Sequence, residues 1–337
     1  MTRSEFMDKI KKGSLALARS HSHHLRAATP EGHNMRTLVT GATGLVGKYL
    51  LRQIDNAVIL SRNPSKVRRG LEAHKWEPEA GPAPAAALRD VEVVFNLAGE
   101  PVGEGRWTEE KKRRIRDSRV VGTRNLVAGL AAMEKPPRVL VSASAVGYYG
   151  DRGDEQLNER STQGQGFLAE VCAEWEHEAM AASKLGIRVV CVRTGIVLAL
   201  DGGALPRMLT PFRIGVGGRL ASGRQWMPWI HVNDEAGIML HASRSDLVRG
   251  PINTVSPSPV TNLDFTTALA HAVHRPAILP VPRIALRVAF GELSEILIAS
   301  QRVLPRVAEE SGYKFEYSDL GSALNDLIHS TARTSAA

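Results

Sequence analysis

The stretch 38-LVTGATGLVGKYLL-51 constrains the fold more than any other part of the chain. A short apolar run enters three glycines spaced three apart, Gly41, Gly44 and Gly47, and a second apolar run leaves them. The first run, Thr37–Thr40, reads as a buried strand, and Leu45–Ile54 has helical spacing. A glycine turn between strand and helix lets backbone come close to a pyrophosphate and aims free N–H groups at it. Alone the motif is weak, because glycines also turn chains that bind nothing. Its position at the opening of the fold, with a second strand ending about 20 residues later, strengthens it.

From Met35 onward strands and helices alternate. Ala57–Ser61, Val91–Leu97, Arg138–Ser142 and Ile187–Arg193 read as strands. Residues 107–132 and Phe167–Leu185 read as helices, and the Pro/Ala-rich 77–87 as a loop before a short helix. Strands apolar on both faces and separated by helices predict a parallel sheet covered on both sides. Right-handed crossovers then make a doubly wound, Rossmann-like α/β fold the simplest topology. After about residue 194 the rhythm changes. Gly202–Gly218 is punctuated by glycine and proline, 226-WMPWIHV-232 is aromatic, and Pro276–Pro282 is a second break. Leu286–Ser300 is the clearest amphipathic piece beyond it. The expected organisation is a disordered basic extension (1–34), a dinucleotide-binding domain (35–200), a smaller, mostly helical substrate-side lobe (201–330) with some return to the sheet, and a disordered tail (331–337).

Composition narrows the function classes. The formal charge is +8, and residues 1–34 hold six Lys/Arg against three Asp/Glu. No basic run is interleaved with aromatics, so a nucleic-acid face is not expected, and an anionic small ligand is. No apolar run approaches the roughly 20 residues of a membrane helix, so no membrane partner is expected either. His21, His23 and His24 fit solvated tail residues better than a metal site. Cys172 and Cys191 are the only cysteines and form no CxxC, which argues against zinc and disulfides and for a reducing cytoplasm. No metal is expected.

The end of the second strand selects the cofactor. An NAD site usually carries an acid there for the ribose hydroxyls. This chain reads 60-LSRNPSKVRR-69, with Ser61 and Arg62 at the tip. A guanidinium beside a hydroxyl suits the 2′-phosphate of NADP; an arginine merely solvated on a loop is the alternative. The small-residue turn 96-NLAGEP-101 follows another apolar strand and belongs at the same carboxyl edge.

Together these pieces resemble the extended and atypical short-chain dehydrogenases/reductases, and most closely the atypical NADP-binding epimerase family. The resemblance covers residues 35–328. It rests on TGATGLVG, NLAGEP, RWTEEKKRRIRDSRVVGT, VSASAVGYYG, CAEWE, VRTGIVL, GGALPRML, PWIHVND and GELSEILIASQRVLP. It implies a Rossmann-like domain, NADP and a small C-terminal lobe. Gly41, Thr43, Gly44, Leu45, Val46 and Gly47 match the phosphate turn, Ser61 and Arg62 the phosphate-recognising pair, and Leu97, Ala98 and Gly99 the ribose turn. Arg119 lies where relatives bring another side chain to the cofactor, and where extended members usually carry the asparagine of the catalytic tetrad.

The resemblance breaks at the proton donor. The superfamily uses a tyrosine whose phenol is made more acidic by a lysine four residues on, on the same helix face. None of Tyr49, Tyr148, Tyr149, Tyr313 and Tyr317 has lysine at that spacing. In 167-FLAEVCAEWE-176, Phe167 and Val171 stand in the two places. What matches is Ser144 at the catalytic serine's position, with Tyr148 and Tyr149 just beyond. Ser144 and Tyr148 are therefore the candidate catalytic residues, with Arg152 a possible neighbouring cation. The alternative is a strand-end cap and a pocket wall. Glu176 reads as an acid or base, or as the ion-pair partner of an arginine. His231 reads as a substrate contact or a core histidine, and Arg207 as an anion contact or a surface residue. The leading expectation is an NADP-dependent oxidoreductase or epimerase-like enzyme acting on a small carbonyl or alcohol. The rival, raised by the missing pair and by a division-related role among relatives, is an NADP-sensing regulator without chemistry.

Overall fold

The computed structural model describes residues 35–330. The expectations for the basic extension, its histidines and the last seven residues lie outside these. Seven strands form one parallel sheet: β1 (Thr37–Thr40), β2 (Ala57–Ser61), β3 (Glu72–Lys75), β4 (Val93–Asn96), β5 (Val139–Ala145), β6 (Arg188–Thr194) and β7 (Gly250–Thr254). Their spatial order is β7-β6-β5-β4-β1-β2-β3. Register runs Thr37↔Ala57 on one side of β1 and Thr37↔Val93 on the other. The order reverses at β1, so the carboxyl ends of β1, β2 and β4 face a common crevice, the usual ligand position in such sheets.

Alternation along the strands builds a core on each face. Val39, Ile59, Val93, Phe95 and Val141 point to one side and meet Ile238, Met239 and Ala242 of the helix Val232–Arg244. Leu38, Val58, Leu60, Val94 and Leu140 point to the other and meet Leu126, Leu130 and Ala179. Those last three come from two long helices, α1 (Glu109–Ala131) and α2 (Phe167–Met180). Thr108 caps α1 by accepting a hydrogen bond from the Lys111 amide, with Glu109 and Glu110 in its first turn. A third core lies under the C-terminal part, where Trp229, Phe265, Leu269 and Leu324 pack together.

The structure differs from expectation in several elements. The helix after the glycine turn covers only Leu45–Leu50. Two strands carried too weak a pattern to be recognised: β3 is an edge strand reading EAHK, and β7 reads GPINT with a proline inside. The amphipathic piece expected at 286–300 is two short helices, Arg283–Phe290 and Ser294–Ile298. Gly291, at φ +60°, makes the break between them.

Candidate functional site

The crevice above β1, β2 and β4 is a cleft of about 380 Å³, lined by Gly41, Thr43, Gly44, Ser61, Arg62, Leu97, Ala98 and Gly99. Eight of the twelve expected cofactor residues thus meet in one cavity. Two of the three glycines are demanded by the protein's own packing. Gly41 sits at φ +67°, and a Cβ there would come within 2.6 Å of the Leu97 carbonyl carbon. A Cβ on Gly47 would come within 2.6 Å of the Gly41 oxygen. Gly44 is different. Its nearest neighbour would be the Gly41 oxygen at 3.1 Å, so its open side is free for a ligand's close approach. Leu45, Val46 and Gly47 open the helix Leu45–Leu50 and are not among the residues lining the cleft.

A buried polar network holds the opposite wall. Thr40 donates to Asn96 Oδ1 at 2.9 Å and accepts from the amides of Leu97 and Ala98. Asn96 Nδ2 donates to Thr123 and Ser142, and Thr123 also accepts from Trp175 Nε1. The turn 97–99 is therefore fixed by β1, β4, β5, α1 and α2 together. Arg119 lies directly beneath it. Its Nη1 donates to the carbonyls of Glu100 and Ile115, and its guanidinium stands 5.1 Å from the Trp175 ring. Burial pulls its pKa below the ordinary guanidinium value, while the Cys172 thiol and Glu100 act the other way. Arg119 supports the turn from below rather than lining the cleft.

At the cleft mouth Ser61 Oγ accepts from the Asn63 amide, and Arg62 is exposed, with no hydrogen bond or ion pair among the described residues. Sequence reasoning missed several neighbours. Asn63, Lys66, Trp76, Glu100, Arg114 and Ser118 also line the cavity. Lys66 was visible in the same 60–69 stretch. Glu100 is held by Lys111 at 2.7 Å, and Arg114 lies 3.7 Å away. The Lys111 hydrogen bond, opposed by burial and aided by Arg114 and Arg62, keeps its carboxyl below the usual range.

At the end of β5 a second cluster forms. Ser144, 4% exposed, donates to Glu176 Oε1 at 2.7 Å. Both oxygens of Glu176 accept from Arg193, through Nε and Nη2 at 2.8 Å each. The Arg193 guanidinium also lies 3.5 Å from the centroid of the Tyr148 ring and donates to Tyr149 Oη at 3.0 Å. Burial opposes the charge on Arg193, but Glu176 and Tyr149 outweigh it and raise its pKa. Tyr149 is fully buried and donates to Asn253 Oδ1 at 2.7 Å; burial pushes its phenol up to about 12. The cation beside Tyr148 is thus Arg193. Arg152 is engaged with Glu155 by two hydrogen bonds. On α2, Val171 is buried and Phe167 packs edge-on against Trp107.

The remaining candidates do not line the cleft. His231 is 1% exposed and stacks on Tyr317 at 3.8 Å. Its Nδ1 accepts from the Asn233 amide, capping the next helix. Burial, partly offset by Asp326 and Asp234, lowers its pKa. Asp234 of the same motif accepts from Tyr313 Oη and the amides of Glu316 and Tyr317, tying down the C-terminal segment. Arg207 is exposed and bridges to Gly103 O and Glu104. Among the described residues no group of three His, Cys, Asp or Glu side chains is placed to hold a metal.

Sheet order, glycine turn and cleft define a Rossmann-type dinucleotide-binding protein. The chain belongs to the NAD dependent epimerase/dehydratase family, whose model matches residues 37–253; a domain of unknown function, DUF1731, matches residues 281–327. It is 41% identical over 297 residues to the epimerase family protein Mb2239 of Mycobacterium bovis, covering 86% of this chain and 97% of that one. It is 38% identical over 300 residues to the epimerase family protein YfhF of Bacillus subtilis, covering 87% and 98%. The human epimerase family protein SDR39U1 (isoform 2), crystallised with NADPH, superposes with a TM-score of 0.78 at 33% identity, over 87% of this chain and 99% of that one. A nucleoside-diphosphate sugar epimerase from Corynebacterium glutamicum gives 0.71 at 34% identity, over 90% and 61%.

Proposed function

We propose that the protein is an NADP(H)-dependent oxidoreductase of the epimerase family acting on a small carbonyl or alcohol. The observation that carries the cofactor assignment is the unpaired Arg62 guanidinium beside Ser61 at the end of β2, where no acid stands. That pair suits a phosphate monoester and lacks the carboxylate that would accept from both hydroxyls of a bare ribose diol. The relative crystallised with NADPH supports the same reading. Gly41, Thr43, Gly44 and the 97–99 turn would hold the pyrophosphate and ribose. When bound, the cofactor supplies a hydride donor or acceptor.

The chain's own part is to orient the substrate and handle its proton. Ser144 gives its hydrogen to Glu176, so its remaining capacity is as an acceptor. A substrate hydroxyl donating to Ser144 Oγ would pass its proton through that atom to Glu176 Oε1. In the reverse direction the same two atoms return a proton to a carbonyl oxygen. Tyr148, with one ring face against Arg193, supplies a second hydroxyl for holding the reacting oxygen. This relay stands in for the missing tyrosine–lysine pair.

The test follows NADPH absorbance against a panel of aldehydes, ketones and quinones, after NADPH binding has been verified by fluorescence. Turnover that falls at least tenfold in Ser144→Ala or Tyr148→Phe is the expected result. A panel without turnover overturns the enzymatic reading. It would favour the rival of NADP binding without chemistry, which the buried Val171 and the Phe167–Trp107 contact motivate.

A further inference from the structure

Two stretches of this chain contain no acidic residue at all, 202–233 and 265–291. The first carries Arg207, Arg213, Arg219 and Arg224, and the second Arg275, Arg283 and Arg287. The fold brings them side by side. Leu220 and Val281 form a parallel bridge, the Leu279 amide donates to Gly217 O, and the Val281 amide donates to Arg219 O. Arg275 Nε reaches the Arg213 carbonyl. Of the seven arginines only Arg207 has an ion pair among the described residues. The contrast with α1 is plain, since Arg114, Arg116 and Arg124 there all pair with glutamates.

The same two stretches expose aliphatic side chains. Ile214, Val216, Ile278 and Leu279 stand in solvent around the bridge. The helix Arg283–Phe290 is held by Leu286, which is 3% exposed, while Ile284 and Val288 are 78% and 70% exposed. At 3.6 residues per turn, each of these two stands about 160° from Leu286, so an apolar stripe points directly away from the protein. Arg283 and Arg287 lie together along one edge of that stripe, and Ala285 and Ala289 along the other. An apolar stripe edged by cations, on a lobe where Arg207 alone of the other arginines has a carboxylate partner among the described residues, is the pattern of a helix lying in a membrane interface.

We infer that the lobe built from 205–224 and 275–290 docks on an anionic phospholipid surface, with Ile284 and Val288 entering the acyl boundary and the arginines meeting the headgroups. Charge decides among occupants. A second copy pairing through this face would set arginines against arginines, and like charges across a contact oppose it. Peripheral attachment needs no spanning helix, and among the described residues no helix is long and apolar enough to be one. The inference is independent of the reaction and of the cofactor.

Vesicle co-sedimentation tests it, using the full chain with phosphatidylcholine vesicles, with and without phosphatidylglycerol. The expected result is binding only to the anionic vesicles, weakened by salt as exposed ion contacts are. Arg283→Glu with Arg287→Glu should lower partitioning roughly 25-fold or more, from the usual contribution of a basic residue near an anionic surface. Ile284→Asp with Val288→Asp should abolish it. All four positions are exposed, and NADPH fluorescence verifies that each variant is folded. Absence of binding to anionic vesicles overturns the inference, as does binding unchanged in both variants. A concentration-dependent dimer broken by Ile284→Asp also overturns it, assigning the face to a second copy.

Discussion

Glu235 is the most exposed test of the energetics, although no solvent reaches it. The residue lies in the first turn of the helix Val232–Arg244 and is completely buried. Oε1 accepts from the Thr194 hydroxyl at 2.8 Å, at the end of β6. Oε2 satisfies no hydrogen bond, and neither does the buried Oγ1 of Thr254 at the end of β7. Burial pushes the carboxyl up from 4.5 to about 7, and the nearby Thr254 and Thr194 hydroxyls recover only part of the cost. The sign follows from linkage. Below about pH 4.5 the carboxyl is neutral in both states and costs nothing. As pH rises, the unfolded chain loses the proton first, so stability falls until the folded carboxyl also ionises near pH 7, and is level above. A difference of about 2.5 pH units at about 1.4 kcal/mol each makes the penalty about 3 kcal/mol. Glu235→Gln removes the charge while keeping an acceptor for Thr194 and supplying a donor for Thr254. Urea unfolding at pH 5 and pH 8 reads the outcome. The variant should exceed the parent by about 3 kcal/mol at pH 8 and by much less at pH 5. A gap independent of pH, or a variant less stable at pH 8, refutes the reasoning.

Three further perturbations separate the roles assigned above. Arg62→Ala should weaken NADPH by roughly tenfold to a hundredfold and NADH hardly at all, because it removes a charge-assisted contact to a phosphate NADH lacks; equal losses in titration calorimetry refute the assignment. Gly41→Ala should cost about 2 kcal/mol or more in urea unfolding and abolish dinucleotide binding, since its Cβ would meet the backbone of Leu97 at a positive φ. Glu176→Gln leaves the buried Arg193 partly unpaired and should cost about 3–5 kcal/mol, while Glu176→Leu with Arg193→Met should be milder because no charge is then stranded.

The parts legible in the sequence were those with a strong local pattern. TLVT, AVILS and VVFN are apolar on both faces, and every residue of the first and last is buried, so β1, β2 and β4 announced themselves. Glycines at Gly41 and Gly47 are enforced by contacts with the neighbouring chain, and their spacing is a trace of that packing. β3 and β7 were hidden for physical reasons. EAHK borders solvent as an edge strand, and Pro251 breaks the pattern of a strand held mainly by its pairing with β6. The placement of the expected cofactor residues relative to one another was hidden too. Nothing in DSRVVGT reveals that Arg119 lies against the 97–99 turn and Trp175, since the latter contact joins α1 to α2. The Ser144–Glu176–Arg193 cluster joins three separated segments, so sequence could offer each member only with its alternatives.

For the proposed reaction, that cluster also narrows which groups could move a proton. Arg193 stays charged at any working pH, so it can hold a geometry but cannot give or take a proton. Tyr149, its phenol pushed up to about 12 and its hydrogen shared between Asn253 Oδ1 and the Asn158 carbonyl, is withdrawn as well. The groups left on the path are Ser144, Glu176 and Tyr148. In the tyrosine–lysine arrangement the cation sits beside the donor on one helix. Here the positive charge is on β6, and its closest carboxylate is the one that accepts from Ser144. A cation paired in this way aligns Glu176 toward the serine without stabilising a phenolate as an unpaired lysine would. In the proposed reaction, proton transfer would therefore run through Ser144 and the carboxylate, and Tyr148 would hold the substrate oxygen.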